Sequence, residues 1–134
     1  MLKITHRELI DNALADIQTL SLDEAQARLN DEDVVFVDLR DPRELEREGK
    51  IPDALHAPRG MIEFWIDPTS PYFKDIFGSG KQFVFYCQSG WRSALTTKTV
   101  QDMGLPRVAH IGDGFRGWKD SGGATEEVQP KQRK

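Results

Sequence analysis

The sequence predicts an α/β fold, a single domain with a mostly parallel central sheet flanked by helices. Three observations lead to this prediction. The 134 residues are enough for one domain with its own apolar core. Short apolar runs at residues 34–37 and 83–86 are typical of strands buried on both faces, and residues 108–111 predict a third strand. Helix signals stand between these runs, and strands that alternate with helices form parallel sheets.

Two capping boxes predict where the first two helices begin. Thr5 stands three residues before Glu8, and Ser21 stands three residues before Glu24. In this arrangement the hydroxyl accepts a hydrogen bond from an amide of the first turn, and the glutamate accepts one in return. Apolar residues at helical spacing follow each box, so the chain should begin with two amphipathic helices.

Further helices are predicted after the first two strands. Asp41 can cap a helix whose first residue is Pro42, and Gly49 ends that helix. A longer helix is expected over residues 93–103, where Gly104 stops it.

The stretch between residues 54 and 80 gives weaker signals. Residues 54–57 are a weak strand candidate, and short helices are expected near residues 61–66 and 72–77. The aromatic residues of this stretch are interpreted as core, with a lid over the site as the alternative: Phe64, Trp65, Tyr72, Phe73 and Phe77.

Composition and charge argue against several functional classes. The chain is 38% hydrophobic and 30% charged, which is typical of a globular domain. Its net charge of −4 gives no electrostatic attraction to nucleic acid or to an anionic membrane. No apolar stretch approaches the ~20 residues of a membrane span, and we expect no secretory signal because the first residues lack a continuous apolar run. A single cysteine cannot form an internal disulfide and fits a reducing compartment, so we expect a cytoplasmic protein.

The predicted organisation has three parts. Residues 1–18 form an N-terminal helical extension, residues 19–124 form the α/β domain, and residues 125–134 form a polar C-terminal tail. The tail ends in basic residues that we expect to be solvated: Lys131, Arg133 and Lys134.

Cys87 is the candidate nucleophile. It directly follows a strand and comes just before a helix, and reactive groups in open α/β sheets collect where strands end. A loop in this setting can direct backbone N–H groups at one point, and the helix N-terminus adds partial positive charge. Both favour the thiolate, which is the nucleophilic form of cysteine. Without these flanks, a lone cysteine would be interpreted as a buried structural thiol.

The residues after Cys87 supply the rest of the predicted site. Four loop amides are expected to bind an anion: those of Gln88, Ser89, Gly90 and Trp91. Gly90 allows a backbone conformation that other residues resist, and Ser93, like Ser89, offers a hydroxyl donor. Arg92 can hold the loop or contact an anionic substrate.

Three further residues near the predicted strand ends have either a functional or a structural interpretation. Trp91 is interpreted either as an apolar wall that selects an acceptor or as a packing residue. His56 and Arg59 are candidates for the rim of the pocket, with a solvated side chain as the alternative for Arg59.

Charged residues near the first strand are given structural roles. Asp38 is expected to cap or brace its loop, whereas Arg40 and Glu44 can form an ion pair at helical spacing. No metal site is predicted, because no pair of the three histidines has the spacing of metal ligands: His6, His56 and His110.

Four segments of the chain together resemble the rhodanese family. Residues 37–40 are similar to its Asp-x-Arg signature, and residues 49–54 to its Gly-His-Ile-Pro-Gly-Ala segment. Residues 86–92 are similar to its active-site loop, and residues 112–118 to its closing Gly-Gly-Phe-x-x-Trp signature. The resemblance spans residues 19–123 and implies a single rhodanese-like domain.

The chain departs from the family pattern at three positions. Lys50 stands where the family often has histidine, and Asp53 and Asp113 stand where it often has glycine. These are turn and packing positions, so we expect the differences to affect stability more than chemistry. The N-terminal helix lies outside the resemblance.

The resemblance implies a sulfurtransferase that carries sulfur on Cys87 as a persulfide. The thiolate would attack the outer sulfur of a donor such as thiosulfate, and sulfite would leave. Cyanide, a thiol or a sulfur-relay protein would then accept the sulfur. Arg92 would order the loop or bind substrate, and the amides of residues 88–92 would hold the persulfide. This covalent, ping-pong route needs no cofactor.

Two other functions stay open. Related phosphatases and arsenate reductases bind a tetrahedral oxyanion in a loop with five residues between cysteine and arginine. Here residues 88–91 give only four, which suits a single sulfur better. The second alternative is a non-catalytic interaction module, in which Cys87 is inert and the N-terminal helix contacts a partner.

Overall fold

The computed structural model describes residues 1–130 and contains one five-stranded sheet with helices on both faces. The predicted solvation of Lys131, Arg133 and Lys134 therefore lies outside the described residues. In chain order the helices and strands are α1 (His6–Asp16), β1 (Thr19–Leu20), α2 (Leu22–Ala27), β2 (Val34–Asp38), α3 (Pro42–Glu48), β3 (Leu55–His56), α4 (Ile62–Ile66), β4 (Gln82–Tyr86), α5 (Trp91–Asp102), β5 (Val108–Ile111) and α6 (Gly114–Asp120). Short 3-10 turns lie at Arg59–Met61 and Asp75–Gly78. Over residues 1–130, no helix is both long enough and apolar enough to cross a membrane.

The strands lie in the order β1-β5-β4-β2-β3, and every pairing is parallel. The predicted α/β architecture with a parallel sheet is thereby confirmed. Since parallel strands end at the same edge, the loops after β2, β4 and β5 are neighbours. The segments that begin at Leu39, Cys87 and Gly112 therefore come together at one edge of the sheet.

Alternate strand residues face two separate apolar cores. Phe36 and Val84 face the side on which α6 buries Trp118. Phe85 faces the opposite side, where α5 buries Val100. Because β2 and β4 are buried on both faces, nearly all of their residues are apolar, which explains the continuous apolar runs in the sequence.

The predicted helix starts are present in the structure. The hydroxyl of Thr5 accepts a hydrogen bond from the amide of Glu8 at 3.1 Å. The full capping box forms at the second helix, where Ser21 and Glu24 exchange hydrogen bonds of 3.1 and 3.0 Å. Both helices are thus anchored by local contacts that the sequence contains.

Both ends of the described chain are docked on the domain. In α1, Ile10 and Ala13 are buried, and the carbonyl of Asp16 accepts a hydrogen bond from the Gln101 side chain on α5 at 2.8 Å. Near the other end, Glu126 pairs with Lys50 through two backbone hydrogen bonds of 3.0 and 2.9 Å.

The sheet and the 64–77 stretch each differ from the sequence-based expectations in one feature. Strand β1 was not predicted, because a strand of two residues carries no periodicity. The aromatic residues of the 64–77 stretch are not all core: Phe77 is buried, but Phe64 and Tyr72 are exposed. Phe64 projects away from the domain because Ile62 and Ile66, four residues apart, occupy the buried face of α4.

Candidate active site

Cys87 lies where β4 ends and just before α5 begins, and it is 1% exposed. Helix α5 starts at Trp91, two residues before the expected position 93. Gly90 caps it in the left-handed conformation, with φ of 97°. A Cβ at Gly90 would collide with the carbonyl oxygen of Gly112. Position 90 therefore requires glycine both for its backbone angle and for its space.

Three hydrogen-bonding groups surround the Cys87 sulfur. The backbone N–H of Gly90 donates to Sγ at 3.2 Å, and that of Ser93 at 3.4 Å. The Ser93 hydroxyl oxygen lies 3.6 Å from Sγ. Donors aimed at one sulfur stabilise negative charge on it. Gly90 is one of the four amides predicted to bind an anion, whereas the Ser93 amide lies outside that set.

The segment after β5 forms backbone hydrogen bonds with the loop that contains Cys87. Near the start of α6, the amide of Phe115 donates to the Cys87 carbonyl at 2.8 Å, and the amide of Arg116 donates to the Gln88 carbonyl at 3.2 Å. Gly114 has a φ of 66°, and a Cβ there would collide with the Gln88 carbonyl oxygen. These contacts fix the backbone of the loop at Cys87 and Gln88.

A buried ion pair supports the loop from the side of β2. Arg40 and Asp38 are both fully buried, and Nη2 of Arg40 lies 2.7 Å from Oδ2 of Asp38. The same guanidinium donates to the Gln88 side chain at 3.2 Å and to the Gly49 carbonyl at 2.7 Å. It also lies 4.2 Å from the centre of the Phe115 ring. Asp38 thus braces its loop, as expected, by orienting Arg40.

The expected ion pair between Arg40 and Glu44 is wrong. Helix α3 begins at Pro42, so Arg40 lies outside it and helical spacing does not apply. Glu44 instead accepts two hydrogen bonds from Arg92, at 2.8 and 3.0 Å. The hydrogen bond from Arg92 holds the pKa of Glu44 below its ordinary value, and the same pairing raises the pKa of Arg92. Arg92, whose side chain is 40% exposed, is thereby fixed beside the loop.

The remaining loop side chains lie on the surface. Ser89 is exposed, and Trp91 is 45% exposed. The Trp91 ring lies against α1, with its centroid 5.1 Å from that of the His6 ring and 5.2 Å from the Arg7 guanidinium. The N-terminal helix therefore contributes two residues to the rim of the loop that the sequence did not indicate.

The two rim candidates from the weak strand lie outside the sulfur's immediate surroundings. Nε2 of His56 is 2.6 Å from the backbone oxygen of Arg40, so His56 contacts the loop after β2. Arg59 lies in a 3-10 turn and pairs with Glu63 at 2.9 Å. Within residues 1–130, neither of these two side chains makes a polar contact with Cys87.

His110 is a site residue that sequence reasoning missed. It lies in β5, is 1% exposed, and its Nδ1 is 2.9 Å from the Ser93 hydroxyl oxygen. Nε2 lies 2.9 Å from the hydroxyl oxygen of Thr19 in β1. Burial lowers the pKa of His110 to about 4, so the imidazole is neutral at neutral pH. The only sequence signal was a histidine within an otherwise apolar strand.

The described side chains do not form a metal site. Within residues 1–130, no three His, Cys, Asp or Glu side chains are grouped so that they could hold a metal ion. At this edge of the sheet the structure places a thiol among hydrogen-bond donors.

Comparisons with known proteins agree with this geometry. A family model described as the rhodanese-like domain matches residues 21–121. A sulfurtransferase from Allochromatium vinosum is 33% identical over 98 residues, which cover 73% of this chain and 83% of that protein.

Two solved structures are also similar. A protein of unknown function from Rhodopseudomonas palustris, described as a possible tyrosine phosphatase, is 52% identical with a TM-score of 0.91. The match covers 94% of this chain and 97% of that protein's chain. The polysulfide-sulfur transferase homodimer from Wolinella succinogenes is 25% identical with a TM-score of 0.67, covering 89% of this chain and 85% of its own.

Proposed function

The chain belongs to the family of rhodanese-like domains, and we propose that it is a sulfurtransferase that carries a sulfane sulfur on Cys87 as a persulfide. One observation supports this most strongly. The sulfur of Cys87 receives hydrogen bonds from the amides of Gly90 and Ser93, at 3.2 and 3.4 Å. A structural thiol needs no such donors, whereas a thiolate nucleophile and an anionic persulfide both do.

The first half-reaction forms the persulfide. The Cys87 thiolate attacks the outer sulfur of thiosulfate, a new S–S bond forms, and the old S–S bond breaks. Its electron pair leaves with sulfite, and the negative charge on the persulfide then lies on the outer sulfur. Arg92, held by Glu44 at the edge of the loop, supplies positive charge for an anionic donor.

The second half-reaction returns the enzyme to its starting state. Cyanide or a thiolate attacks the outer sulfur, the persulfide S–S bond breaks, and its electron pair returns to Cys87. With cyanide the product is thiocyanate. Trp91 and Arg7 stand at the rim of the loop, so they are placed to contact an acceptor as it approaches.

Intact-protein mass spectrometry tests the proposal directly. Incubation with thiosulfate should raise the mass by one sulfur atom, and cyanide or a thiol should reverse the gain. Cys87→Ser should show no gain, because a serine hydroxyl cannot form a persulfide. As a matched control, Ser79→Ala removes an exposed hydroxyl just before β4 begins, at the end of that strand away from Cys87, and should still load sulfur. No gain in the unsubstituted, reduced protein would refute thiosulfate as the donor.

A second candidate is hydrolysis of a phosphate ester, which the description of the Rhodopseudomonas palustris protein favours. That reaction requires the loop to surround a tetrahedral oxyanion, with arginine bound to its oxygens. In this chain only residues 88–91 separate Cys87 from Arg92, one residue fewer than the loops that surround such an oxyanion have. Hydrolysis of p-nitrophenyl phosphate that is lost in Cys87→Ser, with no sulfur loading, would favour the phosphatase over the sulfurtransferase.

A further inference from the structure

A line of hydrogen-bonding groups leads from the sulfur of Cys87 to the protein surface. Sγ lies 3.6 Å from the hydroxyl oxygen of Ser93, which lies 2.9 Å from Nδ1 of His110. On the other side of the imidazole, Nε2 lies 2.9 Å from the hydroxyl oxygen of Thr19. Cys87, Ser93 and His110 are each at most 1% exposed, whereas Thr19 is exposed.

The hydrogen bonds that join these groups can run in either of two directions. A hydroxyl has one hydrogen to donate, and a neutral imidazole has one donor nitrogen and one acceptor nitrogen. When Cys87 is a thiol, its S–H can donate to Ser93, Ser93 to Nδ1, and Nε2–H to Thr19. When Cys87 is a thiolate, Thr19 donates to Nε2, Nδ1–H donates to Ser93, and Ser93 donates to the sulfur.

The surroundings of His110 keep both directions available. Its two side-chain hydrogen-bond partners and its register partner in the sheet are uncharged, namely Thr19 on β1, Ser93 on α5 and Phe85 on β4. Burial lowers the pKa of His110 to about 4, so one ring nitrogen remains an acceptor at neutral pH. The carbonyl of Gly90 competes for the Ser93 hydrogen, but at 3.2 Å it is farther away than Nδ1.

Charged groups lie near the sulfur end of this line. Arg92 on α5 interacts electrostatically with Cys87 and with Asp38 on β2, and it is paired with Glu44 on α3. These charges act on the thiolate in every variant used below, so they do not change between the compared proteins.

We propose that Ser93, His110 and Thr19 form a proton relay that carries the thiol proton of Cys87 to solvent, with His110 as its central positioning residue. This inference rests on the proposed role of Cys87 as nucleophile. The relay answers a need of that role, because a thiol that is 1% exposed has little direct contact with water to take its proton.

The proton transfers balance at each group. The S–H bond of Cys87 breaks as an O–H bond forms on Ser93, and the original Ser93 proton moves to Nδ1. The Nε2–H bond breaks as an O–H bond forms on Thr19, and the original Thr19 proton passes to a water molecule. The products are a thiolate, two hydroxyls, a neutral imidazole with the other tautomer, and a proton in solvent; no group is oxidised or reduced.

Nitrogen-15 NMR of the full chain tests the relay without any sulfur donor. The imidazole of His110 should carry its proton on Nε2 when Cys87 is a thiol and on Nδ1 when Cys87 is a thiolate. The signals are assigned by their absence in His110→Gln. In Cys87→Ser, whose hydroxyl does not ionise in this range, the tautomer should stay constant with pH. A tautomer that is the same on both sides of the Cys87 titration would overturn the relay.

The Thr19 end is tested by the pH profile of Cys87 alkylation with iodoacetamide. Thr19→Val keeps the shape of the side chain but removes the hydroxyl, whose hydrogen bond to Nε2 points toward the charge in the thiolate state and is therefore stronger there than in the thiol state. Only this difference shifts the equilibrium, so the alkylation rate at neutral pH should fall about twofold. The pH at half-maximal rate should rise accordingly, and Thr19→Ser should restore both. Thr99→Val is the matched control, since the Thr99 hydroxyl bonds only a carbonyl within α5. Identical profiles for Thr19→Val and Thr99→Val would contradict the proposal.

The two proposals fail in different ways. A tautomer that switches with Cys87 ionisation, together with no sulfur gain from thiosulfate, would support the relay and refute the proposed donor. A sulfur gain together with a constant tautomer and an unaltered Thr19→Val profile would support the sulfurtransferase and refute the relay.

Discussion

Asp38 and Arg40 form the most deeply buried ion pair of the described chain, and both side chains are 0% exposed. Such a pair contributes modestly to stability as a whole, because both charges lose their hydration when they are buried. Removing one partner is far more costly, since the other charge then stays buried without its counter-ion. The pair therefore fixes the loop around Gln88 more than it adds to the free energy of unfolding.

This asymmetry gives a prediction at the residue scale. Asp38→Ala should lower the free energy of unfolding by about 3–5 kcal/mol, because Arg40 is left buried and unpaired. Asp33→Ala is the matched control, since Asp33 pairs with Arg107 at the surface with both side chains about half exposed. It should cost less than about 1 kcal/mol. Urea denaturation measures both values, and equal losses for the two variants would contradict the assigned role of Asp38.

At the scale of elements, α1 determines the surroundings of the active-site loop. It packs across α5 through Ile10 and Ala13, and its first residues, His6 and Arg7, lie against Trp91. An extension expected outside the core of the fold is therefore part of the rim of the site. Movement of α1 would change both the exposure of Trp91 and the charge that faces an incoming substrate.

The docking of α1 can be measured with two adjacent residues. Ile10 is 3% exposed and Leu9 is 49% exposed. Ile10→Ala should lower the free energy of unfolding by about 2–5 kcal/mol, because it leaves a cavity against α5. Leu9→Ala should change it by less than about 0.5 kcal/mol. If both substitutions were neutral in thermal and urea unfolding, α1 would not be docked as described.

At the scale of the whole molecule, the buried imidazole makes stability depend on pH. The pKa of His110 falls from its ordinary value of 6.5 to about 4 in the folded protein. Between these values the unfolded chain binds a proton that the folded protein does not, so stability falls as pH falls through this window. The fall in pKa corresponds to about 3 kcal/mol of stability. This contribution is fully present above pH 6.5.

The prediction is a loss of stability between pH 6.5 and about 4 that largely disappears in His110→Gln. His6→Gln makes the same substitution at an exposed site and serves as the control. The ion pair of Glu44 with Arg92 acts at lower pH, because the pKa of Glu44 is lowered from 4.5 and its contribution is lost only as pH falls below that value. Urea midpoints at several pH values measure the effect, and an unchanged slope in His110→Gln would refute it.

Much of this molecule is specified by signals only a few residues long. The box of Ser21 and Glu24 starts α2, and Asp41 with Pro42 starts α3. The apolar run of β4 followed by Cys87 and Gly90 indicated a strand, a loop and a helix N-terminus around a nucleophile. These features could be predicted because caps, turns and strand runs depend on neighbours along the chain.

The sequence by itself determined the α/β alternation, the position of Cys87 at a strand end and the presence of an N-terminal helix. Only the tertiary structure decided the partners of the site. Arg92 meets Glu44 across 48 positions, and His110 meets Thr19 across 91. Strand β1, only two residues long, exists because β5 lies beside it. Such contacts follow from the order of strands in the sheet, which sets what lies beside a residue in space, and no local pattern in the chain encodes that order.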